Sequence, residues 1–79
     1  MTAMTIRATN ATFESASSGD YPTLDDAYRA AVLSALNIAT EEIANGAASA
    51  IVDISVDLAD QPQAARGAVA ISHSRILAG

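Results

Sequence analysis

The chain has 79 residues, a formal net charge of −5 and no cysteine. Nine carboxylates stand against four arginines and no lysine, and the arginines are scattered at positions 7, 29, 66 and 75. Nucleic-acid binding proteins cluster Lys and Arg to neutralise phosphates, so this composition argues against direct binding to nucleic acid. Without cysteine, a disulfide framework and a zinc–thiolate site are both excluded.

This length predicts a single domain, residues 1–79, with a thin core. Oligomerisation is a common way to stabilise such a core, so a homodimer is expected. No segment approaches the ~20 apolar residues of a membrane span, and the N-terminus has no apolar run of signal-peptide length. We therefore expect a cytoplasmic protein that does not enter the membrane.

The first predicted element is a strand over residues 5–14, TIRATNATFE, which is rich in threonine and lacks glycine and proline. Ile6 and Ala8 share one face of this strand, whereas Ala11 and Phe13 share the other. Either a β-bulge near residues 9–10 changes the face or the stretch is two short pieces, and one bulged strand is the favoured interpretation. Residues 15–22, SASSGDYP, are small and polar and are predicted to form a loop.

A long helix is predicted from Thr23 to Gly46. Thr23 is a suitable N-cap, and Asp25 and Asp26 place negative charge at the positive end of the helix dipole. The Asn45-Gly46 pair supplies a residue that can take positive φ and end the helix. The arc expected to face the core contains Leu24, Tyr28, Ala31, Val32, Ala35, Leu36, Ile38, Ala39 and Ile43. Leu33 falls on the opposite side as an exposed apolar residue.

Two further strands are predicted, over residues 50–58 and 68–75, with a loop at 59–67 between them. The strict alternation of apolar and polar residues in the first favours an antiparallel sheet with one buried face. The expected fold is α+β: a β-α-β-β order, a three-stranded antiparallel sheet with its third strand in the middle, and the helix on one face. The uncovered face would show Asp53, Ser55, Asp57, Ala68, Ala70, Ser72 and Ser74.

No catalytic, metal-binding or cofactor-binding pattern is found. His73 is the only histidine, and alternation places it on the face opposite to Asp53 and Asp57. The four glycines are isolated, so a phosphate-binding loop is not indicated. We therefore expect a protein that is not an enzyme and has no cofactor.

The carboxylates are the remaining candidates for function. Asp20, Asp25 and Asp26 lie at the helix start, where capping is the simplest explanation. Glu41 and Glu42 oppose the helix dipole in the last turns and have no Lys or Arg at helical spacing. They either form a solvated face or contact something outside the chain.

Two stretches, YPTLDDAYRAAVLSAL and IVDISVDL, carry a resemblance that extends over about residues 13–74. They resemble a family of small uncharacterised bacterial proteins in which a strand and loop lead to a similar helix start and then a hairpin. The resemblance implies the β-α-β-β fold and assigns no site, activity or cofactor.

In size and acidity the chain is also similar to phage anti-CRISPR proteins, and this likeness implies an inhibitor that occupies a surface of its target. Carboxylates on a rigid scaffold can bind the basic, nucleic-acid-handling surface of a partner protein. The residues expected to bind that partner are Asp20, Asp25, Asp26, Leu33, Glu41, Glu42, Asp53 and Asp57. The alternative is a self-associating structural domain that dimerises through Leu33 or the uncovered sheet face.

Overall fold

The computed structural model describes residues 2–11 and 13–75. It contains five elements: β1 (Thr2–Thr9), β2 (Glu14–Tyr21), α1 (Leu24–Ala44), β3 (Ser49–Leu58) and β4 (Ala65–Ser72). The strands form one antiparallel sheet in the order β2-β1-β3-β4. The α+β class is confirmed, but the three-stranded β-α-β-β fold is wrong, because four strands follow the order β-β-α-β-β.

The extra strand comes from the segment predicted to be a loop. β1 ends at Thr9, the backbone N–H of Asn10 donates to the carbonyl of Phe13 at 2.8 Å, and the chain reverses. Residues 14–21 then pair along the whole of β1. The change of face near Thr9 therefore marks a hairpin and not a bulge.

The position of the last strand also differs from the prediction. β4 lies at an edge, and the centre of the sheet is formed by β1 and β3. β3 carries the largest fully buried side chains of the described residues, Val52 and Val56, and its Ala50 and Ile54 have very little exposed surface. A central place under the helix buries this apolar face most completely.

The helix begins and ends where the sequence predicts. The Asp26 backbone N–H donates to Thr23 Oγ1 at 3.1 Å, and the Thr23 hydroxyl donates to the Asp26 carboxylate at 2.9 Å. At the other end Asn45 is the C-cap, and Gly46 takes φ 108°, which favours glycine. In the described part of the chain, no helix has both the length and the apolar content needed to cross a membrane.

Alanine forms the contact between the helix and the sheet. Ala27, Ala31, Ala35 and Ala39 follow one another at four-residue spacing and are at most 1% exposed. The predicted arc omitted Ala27 and included Leu36, which is 36% exposed. Because alanine has no side chain beyond Cβ, the helix lies close to the sheet and its larger apolar residues lie at the flanks. The buried core is Met4, Ile6, Ala8, Ala27, Ala31, Ala35, Ala39, Ala50, Val52, Ile54 and Val56.

Candidate protein interface

The sheet has a covered and an uncovered face because α1 packs on one side only, over β3 and its neighbours β1 and β4. We call the other side the open face. It presents Glu14, Ala16, Ser18 and Asp20 of β2; Ala3, Thr5, Arg7 and Thr9 of β1; Ser49, Ile51, Asp53, Ser55 and Asp57 of β3; and Arg66, Ala68, Ala70 and Ser72 of β4. The prediction for β3 and β4 is confirmed at every position except Ser74, which lies beyond the end of β4.

Strand register arranges the charges of the open face in rows. Arg7 of β1 pairs with Ser55 of β3, and Ser55 pairs with Arg66 of β4, so both arginines lie in one row. The next row contains two carboxylates, Glu14 and Asp53, which flank Thr9. A positive row therefore lies beside a negative one.

The best-defined polar contact on this face is the ion pair between Arg7 and Asp57. Arg7 Nε lies 2.7 Å from Asp57 Oδ2, and the Gln63 backbone N–H donates to Asp57 Oδ1 at 2.8 Å. The hydrogen bond from Arg7, followed by the one from Gln63, lowers the pKa of Asp57 below its ordinary value. The hydrogen bond to Asp57 likewise raises the pKa of Arg7. Asp57 is thus an ionised structural residue that holds the β3–β4 loop against β1.

A shallow concavity of about 300 Å³ lies over the arginine row. Arg7 and Arg66 lie on its two sides, Ser55 lies between them, and Asp53 and Gln63 complete its polar wall. Both charge signs and a hydroxyl line the concavity, so it suits the charged and polar side chains of a partner protein.

The residues predicted to bind a partner do not form one patch. Asp20, Asp53 and Asp57 share the open face, whereas Asp25 and Asp26 lie in the first turn of the helix. The other three, Leu33, Glu41 and Glu42, lie on the helix, and Leu33 is 63% exposed.

Several of these carboxylates also have partners within the chain. Asp26 takes part in the Thr23 cap, and Asp25 lies 3.3 Å from Arg29 in an exposed ion pair. Glu42 accepts a 2.7 Å hydrogen bond from the Asn10 side-chain amide, which ties the β1–β2 turn to the end of the helix. Glu42 therefore has a structural role.

The three remaining carboxylates, Asp20, Asp53 and Glu41, are exposed. Within the described residues they form no ion pair and no side-chain hydrogen bond. They are therefore available to a partner without the loss of an internal contact.

His73 lies beyond β4, away from the carboxylates of the open face. Its backbone N–H donates to the Ala48 carbonyl at 3.1 Å, and its ring Nε2 lies 3.3 Å from the Ala47 carbonyl oxygen. Residues 2–11 and 13–75 contain no group of three His, Cys, Asp or Glu residues that could hold a metal ion.

The sequence pattern does not reveal that β2 and β1 contribute to the open face. Glu14 and Arg7 join the site only because β2 is a strand and because β1 pairs with β3. The one local signal was the change of apolar face after Ala8, which a hairpin explains as well as a bulge does.

No protein-family model, no curated protein and no solved structure matches this chain.

Proposed function

We propose that the protein is a non-enzymatic binding module that uses its open face to bind a basic surface of another protein in the cytoplasm. One observation carries the proposal: an entire sheet face is uncovered, and four carboxylates on it stand against two arginines. The carboxylates are Glu14, Asp20, Asp53 and Asp57, and the arginines are Arg7 and Arg66.

The excess of carboxylates favours encounter with a positively charged partner, because complementary charge accelerates association and disfavours partners of the wrong sign. Asp53 is the strongest individual candidate, since it is exposed near the middle of the face and has no internal ion pair. The row of Arg7 and Arg66 adds specificity, because a partner needs an acceptor or a carboxylate at that position. Alternating rows of charge would thus fix the register of the complex.

In its more specific form, the proposal is an inhibitor comparable in mode of action to anti-CRISPR proteins. Proteins that handle nucleic acid expose clustered Lys and Arg, and these are the groups that an acidic sheet face can cover. Bound there, the module would compete with nucleic acid for the same surface without contacting nucleic acid itself.

The proposal can be tested by capturing binding proteins from the source cell on the immobilised wild-type protein and measuring the affinity of each purified partner. The variant Asp53→Arg should weaken binding about tenfold or more, because it places positive charge in the centre of the open face. Glu41→Arg makes the same charge change at the end of the helix and should alter affinity by less than about threefold.

The electrostatic proposal also requires affinity to fall as salt is raised, since exposed charges are screened within ~10 Å at 0.1 M salt. Equal effects of Asp53→Arg and Glu41→Arg would reject the open face as the binding surface. Affinity that does not depend on salt would reject the basic partner.

The second candidate function is a self-associating structural domain. Among the described residues, four large apolar side chains are exposed, namely Phe13 (44%), Leu33 (63%), Leu36 (36%) and Ile51 (63%). Six of the eleven core residues are alanines, so each monomer buries little apolar area. Light scattering that shows a monomer at every working concentration would reject this candidate.

A further inference from the structure

We propose that the free edge of β4 is a pairing site for a second copy of this chain. Two β4 strands would pair antiparallel about a two-fold axis through Val69 and form a continuous eight-stranded sheet with the order β2-β1-β3-β4 followed by its mirror order. This inference rests on the second candidate function, a self-associating structural domain, and it identifies the surface through which two copies associate. It leaves the open faces of both copies uncovered.

The backbone hydrogen bonds determine which groups of β4 are free. His73 donates its N–H to the Ala48 carbonyl, so these two residues form a hydrogen-bonded pair of the β3–β4 ladder. In an antiparallel ladder such pairs alternate with pairs that do not exchange hydrogen bonds. Residues 65, 67, 69 and 71 therefore bond to β3, and the N–H and C=O groups of residues 66, 68, 70 and 72 point outward.

The β4 edge has few of the features that usually prevent edge pairing. The residues whose backbone groups point outward are Arg66, Ala68, Ala70 and Ser72, with small side chains at three positions, one positive charge and no proline, lysine or carboxylate. With the axis at Val69, each Arg66 lies opposite Ser72 of the second copy, so no like charges meet. An edge strand of this kind can pair with another chain.

The other edge of the sheet is formed by β2, and its charges oppose pairing with a second copy. β2 carries Glu14 and Asp20 near its two ends, both on the open face. Pairing β2 with itself about Ser17 would place each Glu14 opposite Asp20 of the other copy. Like charges directly opposite one another destabilise a strand pair, so β2 disfavours the same association.

The helix-covered side of the β4 edge is mostly apolar and incompletely buried. Leu24, Tyr28 and Ala65 line a groove of about 480 Å³ there, together with Asp25. Tyr28 lies over Gly67, where a Cβ atom would overlap its hydroxyl group. The two-fold axis places Ile71 of the second copy opposite Gly67, and thus against the Tyr28 ring. It also places the two Val69 side chains against each other.

Helix spacing is compatible with this arrangement. Each helix lies over β3, and three strand spacings of ~4.8 Å would separate the two β3 strands by about 14 Å. Val32 and Leu36 follow Tyr28 at four-residue spacing, so these three residues share the flank of α1 over β4 and face this gap. All three are partly exposed in the single chain. The gap is wider than the ~8–10 Å between directly packed helices, so the two helices do not clash.

The first test is the mass in solution by light scattering, up to about 1 mM protein so that a weak interface is detected. Wild type should show twice the 8.0 kDa chain mass.

Ala68→Pro removes an outward N–H and should weaken dimerisation at least about tenfold, since proline at an edge blocks further pairing. Ala16→Pro is the matched control: Asn10 donates to Phe13, so alternation places the Ala16 N–H on the outer side of β2. This variant should remain dimeric.

The second test does not depend on a proline variant folding. The chain has no cysteine, so Val69→Cys introduces a single thiol at the two-fold axis. Opposed residues that do not exchange hydrogen bonds lie about 4.5 Å apart between Cα atoms, within the range of a disulfide. Mild oxidation should therefore link Val69→Cys into covalent dimers, whereas Ser17→Cys on the other edge should stay largely monomeric.

The outcomes distinguish pairing through the β4 edge from self-association through another surface. A wild-type protein that is monomeric at every concentration overturns both proposals. A dimer that Ala68→Pro leaves intact, or in which Val69→Cys links no faster than Ser17→Cys, overturns the β4 edge and leaves self-association through another surface. Selective loss with Ala68→Pro together with rapid Val69→Cys linkage supports the proposal.

Discussion

Replacing Gly67 by alanine should destabilise the protein, because Tyr28 occupies the space that the new methyl group needs. A Cβ atom on Gly67 would overlap the Tyr28 hydroxyl and lie 3.1 Å from its Cζ atom. The hydroxyl end of the Tyr28 ring must therefore shift, which weakens its packing over β4.

Two opposing terms determine the size of the effect. Inserting a methyl group into an occupied site typically costs about 1–3 kcal/mol. Glycine within a strand is less stable than alanine by about 0.5–1 kcal/mol, so the substitution regains that amount. The expected net loss for Gly67→Ala is about 1 kcal/mol. In a Tyr28→Ala background the clash is absent, and Gly67→Ala should instead stabilise by about 0.5 kcal/mol.

Urea unfolding of wild type, both single variants and the double variant measures this coupling, at one protein concentration because association would shift apparent stability. Gly19→Ala is the control, since a Cβ there would make an ordinary 3.5 Å contact with the Tyr21 ring. It should be neutral or slightly stabilising. A coupling energy near zero between positions 28 and 67, or a stabilising Gly67→Ala in the wild-type background, would refute the reasoning.

Three further predictions concern the helix and the open face. Ala35→Leu should destabilise by about 1–3 kcal/mol in thermal or urea unfolding, because Ala35 has no exposed surface and lies between helix and sheet. Thr23→Ala should cost about 1 kcal/mol through loss of the N-cap, whereas Thr40→Ala, at an exposed site within the helix, should be neutral or stabilising. Arg7 lowers the pKa of Asp57, so this ion pair stabilises the fold above the ordinary pKa of 3.8 and its contribution is lost as pH falls through the lower folded value. The stability difference between wild type and Asp57→Asn should therefore shrink below about pH 4 in urea titrations.

Each of these predictions has a contradicting result. A stable Ala35→Leu variant would mean that the helix does not lie close to the sheet. Equal losses of stability for Thr23→Ala and Thr40→Ala would show that Thr23 does not stabilise the helix as its N-cap. An Asp57→Asn variant whose stability difference from wild type is the same at pH 3 and pH 7 would show that Arg7 does not favour the ionised carboxylate.

Local signals were sufficient to predict the helix and β3. The cap at Thr23, the stop at Asn45-Gly46 and the alternation through Val52 to Leu58 each act within a few residues, and the structure retains them. The burial of the helix was less well predicted. The predicted arc contained Ala31, Ala35 and Ala39 but omitted Ala27, and it included Leu36, which the structure leaves exposed.

The strand β2 was not predictable from local propensity. Its sequence, ESASSGDY, contains no β-branched residue and includes a glycine. It is a strand because β1 supplies hydrogen-bond partners along its whole length and because its place at the edge requires little burial. Missing this strand also led to the wrong place for β4.

The candidate site was predicted only in part for a related reason. Alternation correctly placed Asp53 and Asp57 on the uncovered face. It did not reveal that Arg7 lies across from them, because residues 7 and 57 are brought together by the β1–β3 pairing alone. Cross-strand partners distant in sequence leave no periodic pattern.

That same pairing has a consequence for how the chain folds. β1–β3 joins the two hairpins, and its nearest partners, Thr9 and Asp53, are 44 positions apart. Each hairpin can form from local contacts, but this central ladder requires a long loop to close and should limit the folding rate. While it is open, the first hairpin and helix of one chain can dock on the last hairpin of another. Refolding at high concentration should therefore produce some interlocked, domain-swapped molecules, and dilute refolding should suppress them.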